Sequence, residues 1–559
     1  MKLQLSELIK QTLESLYNSQ TEIDLVWTDE EFGDYSTNVA LVLAKKLSKS
    51  PKEIAEAIVA DITGHKPEFI LDISVAGAGF INIKLTSESL IIMSKQSPAK
   101  LLEGQVVVAE YSDPNPFKIL HAGHLYTSIV GDSIANLMES AGASVHRVNF
   151  GGDVGRHVAI NILEIIKRLG GEEPAKLDQI DSSKRAEWLS ECYAQGYKSF
   201  EADESVKQQV KDLNKRLYEV VGKADHDSAL AQIYWTTRQW SYDYFDSFYE
   251  RLGIKFEKYY PESEVSELGL KTVRDNVPEV YQESDGAIIF DGEKYGLHAN
   301  VFINSEGLPT YAAKDVGLIL KKWQDYKFNK SVIITSNDQF DYMRVVLKSV
   351  EQFRSDLSKA TTHLSHGMVK LAGGAKMSSR LGNFLRATDV LDAASEANAL
   401  RGDQNNDTIT IGAVKYAFLK QRIGGDIIYD PAESVNLEGN SGPYLQYSHA
   451  RAKNILSKVE TTVSELKSGT SDELTAEERS LVRKLAHYSE IVELSITELK
   501  PHHICSYLFE LAQNFNRFYE NSRVVGDARQ DFRLALVKLY ADRLAQGLEL
   551  LGIAAPDKM

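Results

Sequence analysis

The chain of 559 residues has only two cysteines, Cys192 and Cys505, far apart and without metal-ligand spacing. That excludes a disulfide framework, argues against structural zinc or any other metal site, and fits a reducing, cytoplasmic compartment. Long apolar runs are also lacking; none approaches the roughly 18 residues that span a bilayer, so no membrane role is expected. The first twenty residues carry Glu7 and Glu14 among apolar positions at helical spacing and do not have the form of a secretory signal. Net positive charge is lacking: with 63 Lys+Arg against 79 Asp+Glu, the net charge of −16 argues against a general nucleic-acid coat. The deficit is uneven, however. From Ser441 onward 15 Lys+Arg face 16 Asp+Glu, so the preceding 440 residues carry −15 and the last section has room for a local basic face toward RNA.

What is present is a 43% hydrophobic, 25% charged composition, ordinary for a globular protein, at a length that predicts three or four domains. Helical spacing covers Leu5 to Leu16, Val39 to Leu47 and Ile54 to Ile62, with Pro51 where a helix N-terminus tolerates proline. Strand-like segments follow at Ile70–Val75 and Phe80–Leu85, so residues 1–97 read as a small α+β domain. A second unit, residues 98–434, starts at the strand-like run Val106–Tyr111. It is interrupted at about 157–252 by a charged, mostly helical insertion and resumes with strand-like Ala287–Phe290 and Val332–Thr335. That pattern predicts an α/β Rossmann-like domain with a parallel sheet. The third unit, 435–559, reads as an all-α bundle. Its stripe Leu508, Leu511, Phe515 and Phe518 falls at helical spacing and is expected to be core.

Two short motifs about 250 residues apart carry the chemistry. His121-Ala122-Gly123-His124 falls where the strand hands over to a helix whose face is Leu125, Ile129, Ile134, Leu137 and Met138. Unpaired backbone N–H groups and the helix dipole favour an anion there. The imidazoles add donors, and Gly123 lets a flat adenine approach the backbone. The second motif, Lys376-Met377-Ser378-Ser379, follows Gly373-Gly374-Ala375 in a loop able to set a cation on the β- and γ-phosphates. Lys118 is a second cation beside the first motif. Together they suggest an ATP site whose chemistry is mainly positioning and electrostatic stabilisation.

The pair resembles the signature sequences of class I aminoacyl-tRNA synthetases, and its fuller form, Ser112-Asp113-Pro114-Asn115-Pro116-Phe117-Lys118-Ile119-Leu120-His121-Ala122-Gly123-His124, resembles that of arginyl-tRNA synthetases. The resemblance covers nearly the whole chain. Gly33-Asp34-Tyr35 and Gly79-Phe80-Ile81-Asn82 are similar to that family's tRNA-elbow-binding domain. Gly439 to Arg451 is similar to the start of its anticodon-binding helices, and Leu550 to Met559 to its closing pattern.

The resemblance implies arginine and ATP as substrates, a tRNA partner required before activation, Mg²⁺ on the ATP phosphates, and a monomer. It places Tyr311 and Asp315 at the guanidinium with Glu262 as a second carboxylate, Asn115 and Gln339 at the amino and carboxylate groups, and Asp113 and His124 beside them. One carboxylate can grip a guanidinium through two parallel hydrogen bonds, and neutral amides suit a zwitterion. For tRNA it points to Asn82, Tyr444, Tyr447, His449, Arg451, Tyr519 and Met559. The chain departs from the family pattern at Asp113, Tyr126 and Val154, while Lys376 is retained where many members lack it. Two rivals stay open: another class I synthetase or nucleotidyltransferase, and a non-catalytic RNA-binding relative. Tyr311 with Asp315 weighs against the first, and His121, His124 and Lys376 weigh against the second.

Overall fold

The computed structural model describes residues 1–372, 385–401, 406–459, 463–466 and 473–559. Its centre is a parallel five-stranded sheet. In spatial order the strands are Thr361–His366, Lys330–Ser336, Val106–Glu110, Ser144–Gly151 and Lys258–Pro261. Strand Val106–Glu110 runs apolar because both faces are covered, as expected for a parallel sheet. Val107 and Ala109 join one core with the helix Ala122–Ser140. Val108 joins another with Val265, Val316 and Val346, from helices Glu262–Asp275, Tyr311–Tyr326 and Phe340–Phe353. The sheet is therefore doubly wound, in the Rossmann-like manner read from the sequence.

Helices Arg156–Leu169, Arg185–Ala202, Glu204–Gly222 and Ala229–Leu252 form the insertion and have a hydrophobic core of their own. A small antiparallel sheet, Gln282–Ser284, Ala287–Phe290 and Asn300–Ile303, bulges out before the helix at Tyr311. The sequence reading did not identify strands Ser144–Gly151, Lys258–Pro261 and Thr361–His366.

The N-terminal α+β unit has helices Lys2–Tyr17, Val39–Leu47, Pro51–Gly64 and Ser87–Lys95. Its four-stranded antiparallel sheet is ordered Leu25–Trp27, Tyr35–Thr37, Phe80–Leu85, Ile70–Ala76. Ser50 and Glu53 form a capping box around Pro51, which is why that helix starts there.

The C-terminal bundle comprises helices Gly442–Leu456, Ala476–Ala486, Tyr488–Glu498, His502–Asn521 and Gln530–Leu550. Leu508, Leu511, Phe515 and Phe518 are buried, as expected of core. Gly442 allows its helix to cross Asp407–Leu419, since a Cβ there would lie 2.3 Å from the Gly412 carbonyl oxygen.

Gly33-Asp34-Tyr35 joins the first and last units. Asp34 is buried and accepts from Arg479 Nη2 at 2.9 Å, Arg483 Nε at 2.8 Å and the Leu85 N–H at 2.7 Å. The Tyr35 hydroxyl donates to Glu490, and Trp27 stacks on His487 with centroids 4.7 Å apart. Gly33 is needed beside them: its φ is +112° and a Cβ would press on the Ile83 carbonyl at 2.9 Å.

Candidate active site

In a doubly wound sheet, ligands bind outside the carboxyl ends of the strands where the winding reverses. Here that point lies between Val106–Glu110 and Lys330–Ser336. A cavity of about 590 Å³ opens there, bounded by Asn115, His121, His124, Glu262, Asp315 and Gln339 among others. Residues from both halves of the catalytic segment thus share one cleft.

At one end, His121 is the N-cap of Ala122–Ser140. Its Nδ1 accepts from the N–H groups of Gly123 at 3.1 Å and His124 at 3.3 Å. His124 Nδ1 accepts in return from the His121 N–H at 3.2 Å. This is a capping box built from two imidazoles, with their rings stacked 3.7 Å apart. Both Nδ1 atoms act as acceptors, so in the neutral tautomer the proton sits on Nε2. Burial, reinforced by Lys118 and His366, lowers His121 to about 4. Burial and then His121 push His124 well below the ordinary histidine value. Both rings are therefore neutral N–H donors near pH 7.

The chain leaves the described residues at Ala372 and returns at Leu385. On one side His366 Nε2 lies 2.6 Å from Thr127 Oγ1 in the first turns of the capped helix. On the other side the Leu385 carbonyl accepts from Ala122 N–H at 2.8 Å, and Ala387 N–H donates to the Leu120 carbonyl at 2.9 Å. Lys376, Met377, Ser378 and Ser379 lie outside the described residues, but the segments flanking them dock on the histidine motif.

The other end is acidic. Asp315, one turn after Tyr311, accepts from the Tyr342 hydroxyl. Burial raises it to about 7, against Tyr342, with Glu110 and Glu262 adding to the rise. Glu262 is 3% exposed and pairs with Lys314. Burial raises its pKa and Lys314 opposes the rise. Tyr311 is 59% exposed and Gln339 is on the rim.

Asn115 Oδ1 accepts from the Gly152 N–H at 2.7 Å, which commits its carbonyl and leaves its NH₂ as the donor for a ligand. Gly152 leaves these side chains room, since a Cβ would lie 2.7 Å from that oxygen and 3.0 Å from Glu262 Oε1 and would displace them. Asp113 Oδ1 accepts from the Phe150 N–H at 2.8 Å, and burial and then Glu110 raise its pKa well above the ordinary value. Ser112 and Asp113 both have left-handed φ, 74° and 50°. They are fixed there by that bond and by the Ser112 hydroxyl, 2.7 Å from Tyr249 Oη and 2.8 Å from Ser128 Oγ. Such strain persists only where surrounding contacts over-determine it, and it concentrates at functional sites.

Sequence reasoning missed three supports. Asp153 is fully buried and accepts from Ser263 N–H at 2.9 Å and Tyr234 Oη at 3.0 Å, with Arg238 Nε 3.1 Å away. It thereby pins the insertion to the start of the Glu262 helix; Gly151-Gly152-Asp153 was its only signal. Glu110 and Lys322 form a buried ion pair under the cleft, and nothing in their spacing announces it. Lys314, adjacent to Asp315, is the third.

Some expected residues are placed differently. Lys118 Nζ lies 4.2 Å from the centroid of the Tyr193 ring of the insertion, outside the cavity wall, though near enough to depress His121 and His124. Tyr126 is buried, edge-on to His366 and Phe418, and its hydroxyl has no hydrogen-bond partner among the described residues. Val154 is buried.

Of the tRNA candidates, Asn82 is 8% exposed within its sheet and His449 is 3% exposed, with Nδ1 2.9 Å from the Pro556 carbonyl oxygen. Packing thus gives His449 a tethering role and leaves neither side chain an open surface. Asn516 joins Tyr444 Oη at 2.8 Å to Arg451 Nη1 at 3.1 Å, and Arg451 lies over the Tyr447 ring. Tyr447, Tyr519 and Met559 are exposed. Among the described residues, no group of three or more His, Cys, Asp or Glu side chains could hold a metal ion, and no helix is long and apolar enough to cross a membrane.

The family model "Arginyl tRNA synthetase N terminal domain" matches residues 3–85, "tRNA synthetases class I (R), catalytic domain" matches 87–430, and "DALR anticodon binding domain" matches 445–559. The chain is 28% identical to an arginine–tRNA ligase of Porphyromonas gingivalis, over 96% of each chain. It is 28% identical to one of Bdellovibrio bacteriovorus, over 93% of this chain and 91% of that one. Among solved structures, an arginyl-tRNA synthetase of Thermus thermophilus superposes with a TM-score of 0.79 at 24% identity, covering 100% of both chains. One from Plasmodium falciparum gives 0.81 at 21% identity, covering 100% of this chain and 99% of that one. With the catalytic model matching more than half its length and the other two flanking it in order, the chain belongs to the arginyl-tRNA synthetase family of class I.

Proposed function

We infer that the cleft of this arginine–tRNA ligase binds L-arginine from Asn115 to Asp315 and the phosphates of ATP across His121 and His124. One observation carries the reading: a helix end presenting neutral N–H donors and a buried aspartate bonded, among the described residues, to the Tyr342 hydroxyl and to no cation face each other across one cavity. The guanidinium supplies Asp315 with a charged partner, through two parallel hydrogen bonds, with Tyr311 and Glu262 beside it. The Asn115 NH₂ suits the substrate carboxylate, while Asp113 and Gln339 suit its ammonium.

A carboxylate oxygen of arginine attacks the α-phosphorus of ATP, the bond to the bridging oxygen breaks, and pyrophosphate leaves with the electron pair. The Nε2–H groups of His121 and His124 stabilise the charge that builds on the phosphates, with the backbone approach at Gly123 accommodating the adenine. The described residues before and after the stretch with Lys376, Met377, Ser378 and Ser379, His366 on one side and Leu385 and Ala387 on the other, bond to this helix end, which supports Lys376 as a cation on the leaving pyrophosphate. Lys118 adds long-range positive potential. Mg²⁺ held on the ATP phosphates would supply further neutralisation of the charge that builds there. The hydroxyl of the 3′-terminal adenosine of tRNA then attacks the adenylate carbonyl and AMP leaves. The Tyr444, Tyr447, Arg451 and Tyr519 face suits unstacked anticodon bases. A cytoplasmic monomer that activates arginine only with tRNA bound completes the proposal.

ATP–pyrophosphate exchange with each amino acid, with and without total tRNA, tests it. Exchange is expected with arginine in the presence of tRNA. Exchange with lysine or cysteine but not arginine overturns the assignment.

A further inference from the structure

The acidic end of the cleft contains more negative charge than its substrate can match. Glu110, Asp113, Glu262 and Asp315 all line it. Two of them have a resident lysine, Glu110 paired with Lys322 and Glu262 with Lys314. The described contacts of the other two are with the Phe150 N–H and the Tyr342 hydroxyl, not with a cation. Arginine brings two cationic groups. The count of uncompensated carboxylates therefore equals the count of incoming cations, and this equality depends on the two lysines.

Lys314 occupies a built cation site. It is 4% exposed, its ammonium is bonded to Glu262, and it lies 5.4 Å from the centroid of the Tyr311 ring. Glu262 Oε1 points the other way, toward Gly152. We propose that Lys314 is a positioning residue for amino-acid recognition: a resident counter-ion that keeps Glu262 ionised and turned, so that the entering guanidinium is gripped by Asp315 alone and meets Glu262 as an already neutralised acceptor. The proposal rests on the reading of this cleft as the arginine site. Its physical basis is that a buried ion pair is costly to break from one side, because the remaining charge is left uncompensated, whereas removing both charges together is far better tolerated.

The test is a double-mutant cycle on the full chain, read by pyrophosphate exchange with tRNA present. Glu262→Gln leaves Lys314 facing the guanidinium as a like charge, and the KM for arginine is expected to rise about 100-fold. The doubly neutral E262Q/K314M is expected to recover at least about tenfold of that loss, because the repulsion is gone. Lys314→Arg keeps the charge and stays within about threefold of the parent chain. The KM for ATP is unmoved throughout. Equal arginine KM values for E262Q and the double variant overturn the proposal, since Glu262 would then act directly with Lys314 a bystander. Melting curves check each fold, and E262Q/K314Q is a second neutral pair should the methionine variant not fold. Asp315→Asn separates the two readings: an unchanged arginine KM there overturns the cleft assignment itself. A raised KM in D315N, together with equal KM values for E262Q and the double variant, overturns the role of Lys314 alone.

Discussion

The two ends of the cleft solve opposite problems with the same economy of parts. At the histidine end, ionisable side chains must stay neutral: burial keeps them so, and Nδ1 of each ring is committed to N–H groups of the helix turn. At the acidic end, charge must be retained in a buried place, and other side chains retain it: Lys314 for Glu262, Lys322 for Glu110. Burial with main-chain hydrogen bonds fixes a neutral tautomer without adding charge, whereas ion pairs fix charge but must be balanced one for one. The first device is visible in a short motif; the second is spread over residues more than fifty positions apart.

That contrast can be broken at either end. The largest effect is expected at the histidine end: His124→Gln removes an Nε2–H donor aimed at developing phosphate charge and should lower kcat in pyrophosphate exchange by about 100- to 1,000-fold, with little change in the KM for arginine. Asp315→Asn should do the reverse, raising the KM for arginine about 100-fold and sparing that for ATP; equal effects on both would show that the two ends are not separate. The pH dependence sharpens the same distinction. Asp315, raised to about 7 by burial, takes up a proton below that pH, and guanidinium binding requires it ionised. The arginine KM should therefore rise as pH falls, by about tenfold per unit below 7, and level off above it. A slope that survives in D315N belongs to another group. Smaller still, Lys118→Ala should cost only about fivefold in kcat, since its ammonium rests on Tyr193 and reaches the phosphates through a long-range field. Asp34→Asn, far from the cleft, should leave exchange kinetics unchanged while removing about 3 kcal/mol of stability at the joint with Arg479 and Arg483, seen as a lower melting temperature.

Legibility followed the same divide. Helices with strong apolar spacing, such as Lys2–Tyr17, and the insertion at about 157–252 could be read because periodicity accumulates over many residues. Leu25–Trp27 and Tyr35–Thr37 could not, since three residues contain too little alternation to register. Lys258–Pro261 was hidden by its polar start and by its proline, which stands at the joint with the next helix. In the cleft, His121, His124, Asn115 and Asp315 were found through motifs and the family resemblance, and all four line one cavity. Asp153, Lys314 and Lys322 escaped because their meaning lies in partners brought from elsewhere in the chain by the sheet. Gly33-Asp34-Tyr35 was found as a motif, but only its contacts with Arg479, Arg483 and Glu490 reveal a mechanical joint.

The imidazole cap also works as an acid fuse. Protonating His121 or His124 would turn an Nδ1 acceptor into a donor pointed at another donor, so the ring cannot charge without opening the first turn of Ala122–Ser140. Both rings titrate normally near 6.5 in the unfolded chain and well below that in the folded one, His121 at about 4. Their contribution to stability is therefore complete above pH 6.5 and drains away as the pH falls from there toward 4. Acid should loosen this helix end and disable the phosphate site in one event.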